Sequence, residues 1–380
     1  MKVTVERAAL LEMLGKLMLV VKQRHTLPIC ETVHLAGSDG GLKGTATDLE
    51  RFLLTSTRAK VLKKGAICVR PQSLAVLLKA VDADKVTITA KGATVRVEAG
   101  RMSLSLESSP AEDFPPVPEV SGVEVVVPKL IEALGDVDYA VARDDARPVL
   151  SGVCFTPLES TLELAGADGF RLAITATLMR GSFEKAAIVP LETVRLLRKL
   201  TGAVGMTIPT SRDKVLFKVG NITLISTLIQ GSFPNYAQLV PKGGTMLKVT
   251  SAEVQKALKV IRGMKPASGI VRLQTKGKEL CLWARTGDDG EGSIEVKVPA
   301  SGKVKIAFNL EYLSDLVSRA GDTLTLQTTT PSSPGKVRVG TTTHVIMPMV
   351  VQWDKPKPAG ATPTPPTEAV PTPESVPVPA

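Results

Sequence analysis

RPVLSGVCF (Arg147–Phe155), followed by GADGFRLA (Gly166–Ala173), decides the fold, because the same pair of phrases stands once before it and once, fainter, after it. Upstream the pair reads TLPICETVHL (Thr26–Leu35) and ATDLERFL (Ala46–Leu53), and downstream the copy is SGIVRLQTKGKELCLWA (Ser268–Ala284). Helix starts recur in step, as RPQSLAVLLKA from Arg70, VPLETVRLLRKL from Val189 and FNLEYLSDLVSRA from Phe308. Successive copies lie roughly 120 residues apart, the size of a domain and not of a solenoid unit. Three copies of one domain are therefore expected, over 1–120, 121–244 and 245–352.

Between the helices the hydrophobic period changes. Lys85–Glu107 and Val215–Ile229 alternate apolar and polar residues, broken by Lys-Gly and Gly-Asn turn signals, as antiparallel strands do. Each copy reads as helix, three or four strands, helix, three or four strands. That is an α+β unit with its helices on one face of an antiparallel sheet. The joints fall at Ser108–Gly122 and Pro241–Thr245, with Phe114-Pro115 and Phe233-Pro234 at equivalent places. Aromatic residues make up only 3% of a chain that is 43% hydrophobic, so the cores must be aliphatic. From residue 353 to 380 the chain is rich in Pro, Thr and Ala, which cannot bury a core; a disordered tail of polyproline II character is expected there.

Glu6, Arg7 and Glu12 interrupt the apolar N-terminus, which argues against a signal peptide. No run approaches the roughly 18 apolar residues of a membrane helix. Cys30, Cys68, Cys154 and Cys281 are scattered in apolar stretches without CxxC spacing, as buried reduced thiols of a cytoplasmic protein would be. None of the three histidines has zinc-site spacing, and GxSxG, P-loop and dinucleotide-binding glycine signatures are missing. Asp48 and Asp168 recur in the repeat; they read as turn residues whose carboxylates accept backbone N–H bonds between two strands. Neither a catalytic constellation nor a metal or cofactor site is expected.

The net charge of +10 concerns partners, not fold, and its placement is informative. In Val254–Met264, Val254, Leu258 and Ile261 recur at helical spacing and would face a core, leaving Gln255, Lys259 and Arg262 as an opposite face. In the second copy Val194, Leu197 and Leu200 point inward and Arg195, Arg198 and Lys199 outward. Basic helix faces in two copies of the repeat suit a phosphate backbone.

RPVLSGV (Arg147–Val153), ADGFRLA (Ala167–Ala173), GSFPNY with the following LVP (Gly231–Pro241), FNLEYL (Phe308–Leu313) and VIMPM (Val345–Met349) stand in an order that resembles the β sliding clamp family of bacterial DNA polymerase III. The resemblance covers about 1–351. It implies a head-to-tail homodimer, a ring of six similar domains with helices around duplex DNA and sheets outside. Arg24 matches an arginine that touches DNA in the family; Arg195, Arg198, Lys199, Lys259 and Arg262 join it from helical spacing. The resemblance also implies an apolar pocket for short motifs of the replicative polymerase catalytic subunit, the clamp loader and other clamp-binding proteins. Its walls would be Leu150, Ala167, Gly169, Phe170, Arg171, Leu172, Pro234, Gln238, Leu239, Tyr312, Ser332, Pro334, Met347, Pro348 and Met349.

Ala167 and Phe170 stand where the family usually has Thr and His, and Gln238 and Val350 where Arg is common. At the dimer contact Leu104 and Leu106 keep apolar character, while Arg262 and Gly263 take the places of two aliphatic residues. The competing expectation is a monomeric peptide-binding scaffold that never encircles DNA; a DNA enzyme would instead need clustered carboxylates.

Overall fold

Helices form wherever apolar residues return every three or four positions: α1 (Arg7–Leu17), α2 (Pro71–Ala80), α3 (Leu130–Val137), α4 (Leu191–Leu197), α5 (Ser251–Gly263) and α6 (Leu310–Val317). This is a computed structural model, describing residues 1–144, 146–266, 268–286 and 292–353; the Pro-rich stretch from 354 onward lies outside the described residues. Pro71 opens α2 in the first turn, where a missing N–H breaks no helical bond. The Asn309 side chain caps α6 by accepting from the N–H groups of Glu311 and Tyr312. On α5, Val254, Leu258 and Ile261 are buried and Gln255, Lys259 and Arg262 exposed, as the spacing predicts. Helix α4 is shorter than expected. Its chain tightens after Leu197, with the N–H groups of Lys199 and Leu200 donating three residues back to Leu196 and Leu197, yet Leu200 stays buried.

The strands are antiparallel, but one sheet per copy is corrected to two in the first and second copies. The third keeps all its strands in one sheet, because Gly292–Gly302 pairs with both Glu279–Thr286 and Thr245–Thr250. In the first copy, Ala59–Lys63, Lys2–Glu6, Lys85–Lys91, Thr94–Ala99 and Met102–Glu107 form a five-stranded sheet in that order. Arg51–Thr57, Gly41–Thr47, Val33–Ser38 and Gly65–Val69 belong to another sheet. Two walls are needed because α1 packs on strands of both, burying Leu10, Met13, Leu14 and Leu17 between them.

Both larger sheets run across the copies. The eight-stranded sheet is continuous because Ile222–Ser226 pairs with Arg51–Thr55, setting Leu224 opposite Leu53. The twelve-stranded sheet is continuous because Arg171–Ile174 pairs with Thr343–Ile346, setting Ala173 opposite His344. Each joint unites the last strand of one copy with the same middle strand of its neighbour. The cores are mostly aliphatic around buried Phe155, Phe217 and Phe308, with one cluster shared by the first two copies and another in the third. All four cysteines are buried free thiols.

Candidate functional site

The second joint builds an apolar cleft of about 170 Å³. Its floor begins at the turn between Ala167 and Arg171. The Asp168 carboxylate accepts the N–H groups of Phe170 at 2.8 Å and Arg171 at 2.9 Å, and its other oxygen accepts Arg171 Nε at 2.9 Å. Gly169 takes φ +90° in this turn, and a Cβ there would strike the Arg147 guanidinium. Asp48 closes the matching turn of the first copy, accepting the Arg51 N–H at 2.9 Å. Both aspartates are thus turn residues, as their sequence setting implies.

Of the residues expected at the pocket, Leu150, Ala167, Gly169, Arg171, Leu172, Pro234, Leu239 and Met347 come together in this cleft. Phe170 and Tyr312 form a shelf beside it, their rings stacked at 6.1 Å, with the Arg171 guanidinium 4.5 Å from the Tyr312 centroid. Burial first, then the Asp168 charge, raises the Tyr312 phenol above its ordinary pKa. The C-terminal segment is tied down by backbone bonds, Met347 N–H to Phe170 O and Met349 N–H to Ala307 O, both 2.8 Å, with half-buried Pro348 between them. Gln238 is exposed on the Ala237–Leu239 turn and does not line the cleft. Ser332 and Pro334 also lie outside the cleft lining, in the loop where Ser332 Oγ meets Thr330 Oγ1. Arg147, Phe233, Tyr236 and Val345 complete the wall. Sequence reasoning passed over them although all four stand inside the quoted motifs; the signal was present, without a reason to single them out.

Behind the cleft a polar and aromatic network crosses the joint. Arg171 reaches Asp315 of α6 at 2.5 Å, and its guanidinium also lies 5.3 Å from the Tyr139 ring centroid. Burial opposes the Arg171 charge, but the bonds to Asp315 and Asp168 carry its pKa above the ordinary value. Tyr139 Oη meets His344 Nδ1 at 2.9 Å, and Arg319 covers the Tyr139 ring at 3.8 Å. Burial, helped by the Arg319 charge, lowers the His344 imidazole to about 4, so it is neutral near pH 7.

The first joint builds an open groove of about 510 Å³ with a different lining, including Lys22, Arg51, Glu192, Arg195, Arg198 and Lys199. Arg195 pairs with Glu192 at 2.7 Å and Arg198 with Asp138 at 2.5 Å, while no ion pair engages exposed Lys199 among the described residues. Arg24 is exposed two residues beyond Lys22. Lys259 is exposed on α5, whereas Arg262 forms a bidentate pair with Glu311, at 2.9 and 2.7 Å. Gly263 ends α5 facing open space. Leu104 and Leu106 are half-buried on the edge strand Met102–Glu107.

Comparison with known proteins matches this architecture. Residues 1–118 match the N-terminal domain of the DNA polymerase III beta subunit, and residues 124–235 its central domain. The beta sliding clamp of Pseudomonas aeruginosa is 30% identical over 336 residues, 84% of this chain and 91% of that one. That of Caulobacter vibrioides is 29% identical over 352 residues, 88% and 95% of the two chains. The crystal structure of the DNA polymerase III subunit beta from Pseudomonas aeruginosa superposes with a TM-score of 0.87 at 26% identity, covering 92% of this chain and all of that one. A sliding clamp from Bartonella birtlesii bound to griselimycin gives 0.85 at 25% identity, covering 92% of this chain and 100% of that one. The chain belongs to the DNA polymerase III beta subunit family.

Proposed function

We propose that this DNA sliding clamp closes head to tail with a second copy, so that the segments 1–120, 121–244 and 245–352 of each chain make a six-domain ring around duplex DNA. Strand edges carry the reading. Two joints are made within the chain, each between a last strand and a middle strand, and the repeat leaves one partner of each kind over. Met102–Glu107 ends its sheet, and Gly292–Pro299 pairs on one side only, with Glu279–Thr286. Unpaired edges are ready templates for another chain. Transferring the internal register to them sets Leu104 opposite Ile294 of the second copy, as Leu224 faces Leu53 and His344 faces Ala173. By the same alignment Gly263 stands where Leu19 and Tyr139 stand at the internal joints.

The clamp has no chemistry of its own to perform; it acts as a processivity subunit. Arg24, Arg195, Arg198, Lys199, Lys259 and Arg262 would meet phosphates, which gives salt-dependent binding without sequence readout. Because Arg195, Arg198 and Arg262 already hold carboxylates, their field is softened and Lys199, Arg24 and Lys259 contribute most. Weak contacts suffice, since topology retains the DNA and sliding remains free.

The apolar cleft at the second joint would receive short linear motifs of the polymerase catalytic subunit, the clamp loader and other partners. Met347 and Leu239 suit such exchange because flexible apolar side chains re-pack around different ligands. This reading puts the ring in the cytoplasm. Light scattering over a dilution series tests the closure. A species near twice the 40.2 kDa chain mass supports the ring, and a monomer throughout favours the peptide-binding scaffold.

A further inference from the structure

We infer that a second cleft, separated from the first by the Phe233–Tyr236 segment, receives an acidic side chain of the same partner peptide whose apolar residues fill the first; this rests on the peptide-capture reading. The second cleft encloses about 480 Å³ and shares Phe233, Pro234 and Tyr236 with the apolar one, so the two sites have a common wall. They are also joined along one strand. Ala167 lines the apolar cleft and Glu163 of the same strand lines the second. Four residues of strand separate them, about 13 Å, which an extended peptide crosses in about four residues.

The second cleft has a cationic end. Arg212 sits in the left-handed region at φ +53°, a conformation that side-chain-bearing residues seldom adopt. It is fixed there by its own N–H to Pro209 O at 3.0 Å and by Gln230 Nε2 donating to its carbonyl at 2.9 Å. Its guanidinium donates through Nη2 to Ala186 O, while Nε is buried with no hydrogen-bond partner. That Nε is closed to the cleft, so Arg212 offers the cleft its guanidinium charge, which favours a carboxylate. Exposed Lys185 lines the same cleft, and no ion pair engages it among the described residues. One acidic group faces these cations. Glu163 is engaged by the Tyr236 hydroxyl at 2.6 Å, which leaves two positive charges against one negative. The lining is therefore suited to one added carboxylate and not to a further cation.

Fluorescence anisotropy with the full chain tests this. The probes are labelled nine-residue peptides carrying an adjacent Leu-Leu pair and one Asp four residues to either side, each with an Asn twin. One of the Asp peptides is expected to bind roughly tenfold tighter than its twin at low salt, the difference shrinking as salt screens it. Lys185→Ala and Arg212→Gln should each collapse that difference and leave the Asn twin's affinity unchanged. Lys185→Ala alters only an exposed side chain, so it decides the matter if the strained turn at Arg212 fails to fold when changed. Equal affinity of both Asp peptides with their twins, or a preference that survives Lys185→Ala, overturns the acidic subsite while leaving peptide capture standing. Displacement of the Asp peptide by a short single-stranded DNA would assign the cleft to phosphate and also overturn it. If no peptide binds, peptide capture itself falls, and the subsite with it.

Discussion

The two joints inside the chain share a backbone and differ in nearly every side chain that faces it. Where the second joint has Tyr139, Asp315 and His344, the first has Leu19, Leu196 and Leu224 at the equivalent positions of the repeat. Both keep the Asp–Arg turn, but Arg51 is satisfied by Asp48 within its own copy, while Arg171 divides its donors between Asp168 and Asp315 of the next. The first joint is thus held by aliphatic packing, and its groove is lined by basic side chains. The second is held by a buried polar network, and its cleft is apolar. One strand pairing can carry either surface, because pairing fixes the backbone and leaves the side chains above it free to specialise.

The proposed joint between two copies would be the third member of the comparison, with Gly263 where the others place Leu19 or Tyr139. Leu104→Glu should therefore have the largest effect. A charge set against Ile294 of the second copy is expected to weaken the dimer at least a hundredfold, about 3 kcal/mol, read by sedimentation equilibrium. The segment should stay folded, since Leu104 is only half-buried within its own chain.

The second joint should be pH-sensitive and the first should not. His344 is neutral in the folded chain down to about pH 4, whereas the unfolded chain takes up the proton near its ordinary 6.5. Its contribution is complete above pH 6.5 and is lost as the pH falls from there toward 4, on the order of 3 kcal/mol at the acid end. His344→Leu, which copies Leu224 of the first joint, should flatten the fall of melting temperature over that window. An unchanged slope would mean that other groups govern acid unfolding.

Gly263→Leu should make the third joint resemble the first. The position has open space, so the side chain can enter the closing contact without disturbing its own chain. A dimer about tenfold tighter is expected from dilution experiments, roughly 1.4 kcal/mol. No gain would place Gly263 away from the contact. The smallest effect belongs to the basic groove. Lys199→Ala should reduce the slope of log affinity for DNA against log salt by about 1 while leaving peptide binding at the second joint untouched.

The repeat, the helices and their inward faces were legible in the sequence because burial imposes periodicity, as Val254, Leu258 and Ile261 show on α5. The roles of Asp48 and Asp168 were legible because a short carboxylate between two strands has few other uses. The division of the first two copies into two sheets was not, since Arg51–Thr57 and Ala59–Lys63 are parted by Arg58 alone and only their pairing partners assign them to different sheets. Nor was the network behind the cleft, whose members Tyr139, Arg171, Asp315 and His344 are far apart in sequence and individually unremarkable. Gln238, Ser332 and Pro334 show the opposite limit, because matching a motif assigns a neighbourhood and not a wall.

Short-range cross-linking tests the reuse of the joint most directly. A Leu104→Cys chain is mixed with an Ile294→Cys chain and treated with a short bismaleimide, the four native thiols being buried. A covalent species near twice 40.2 kDa, formed in the mixture and far less in either chain alone, is the expected result. Equal cross-linking in all three samples, or none at concentrations where light scattering reports a dimer, would contradict a third joint built in the register of the other two.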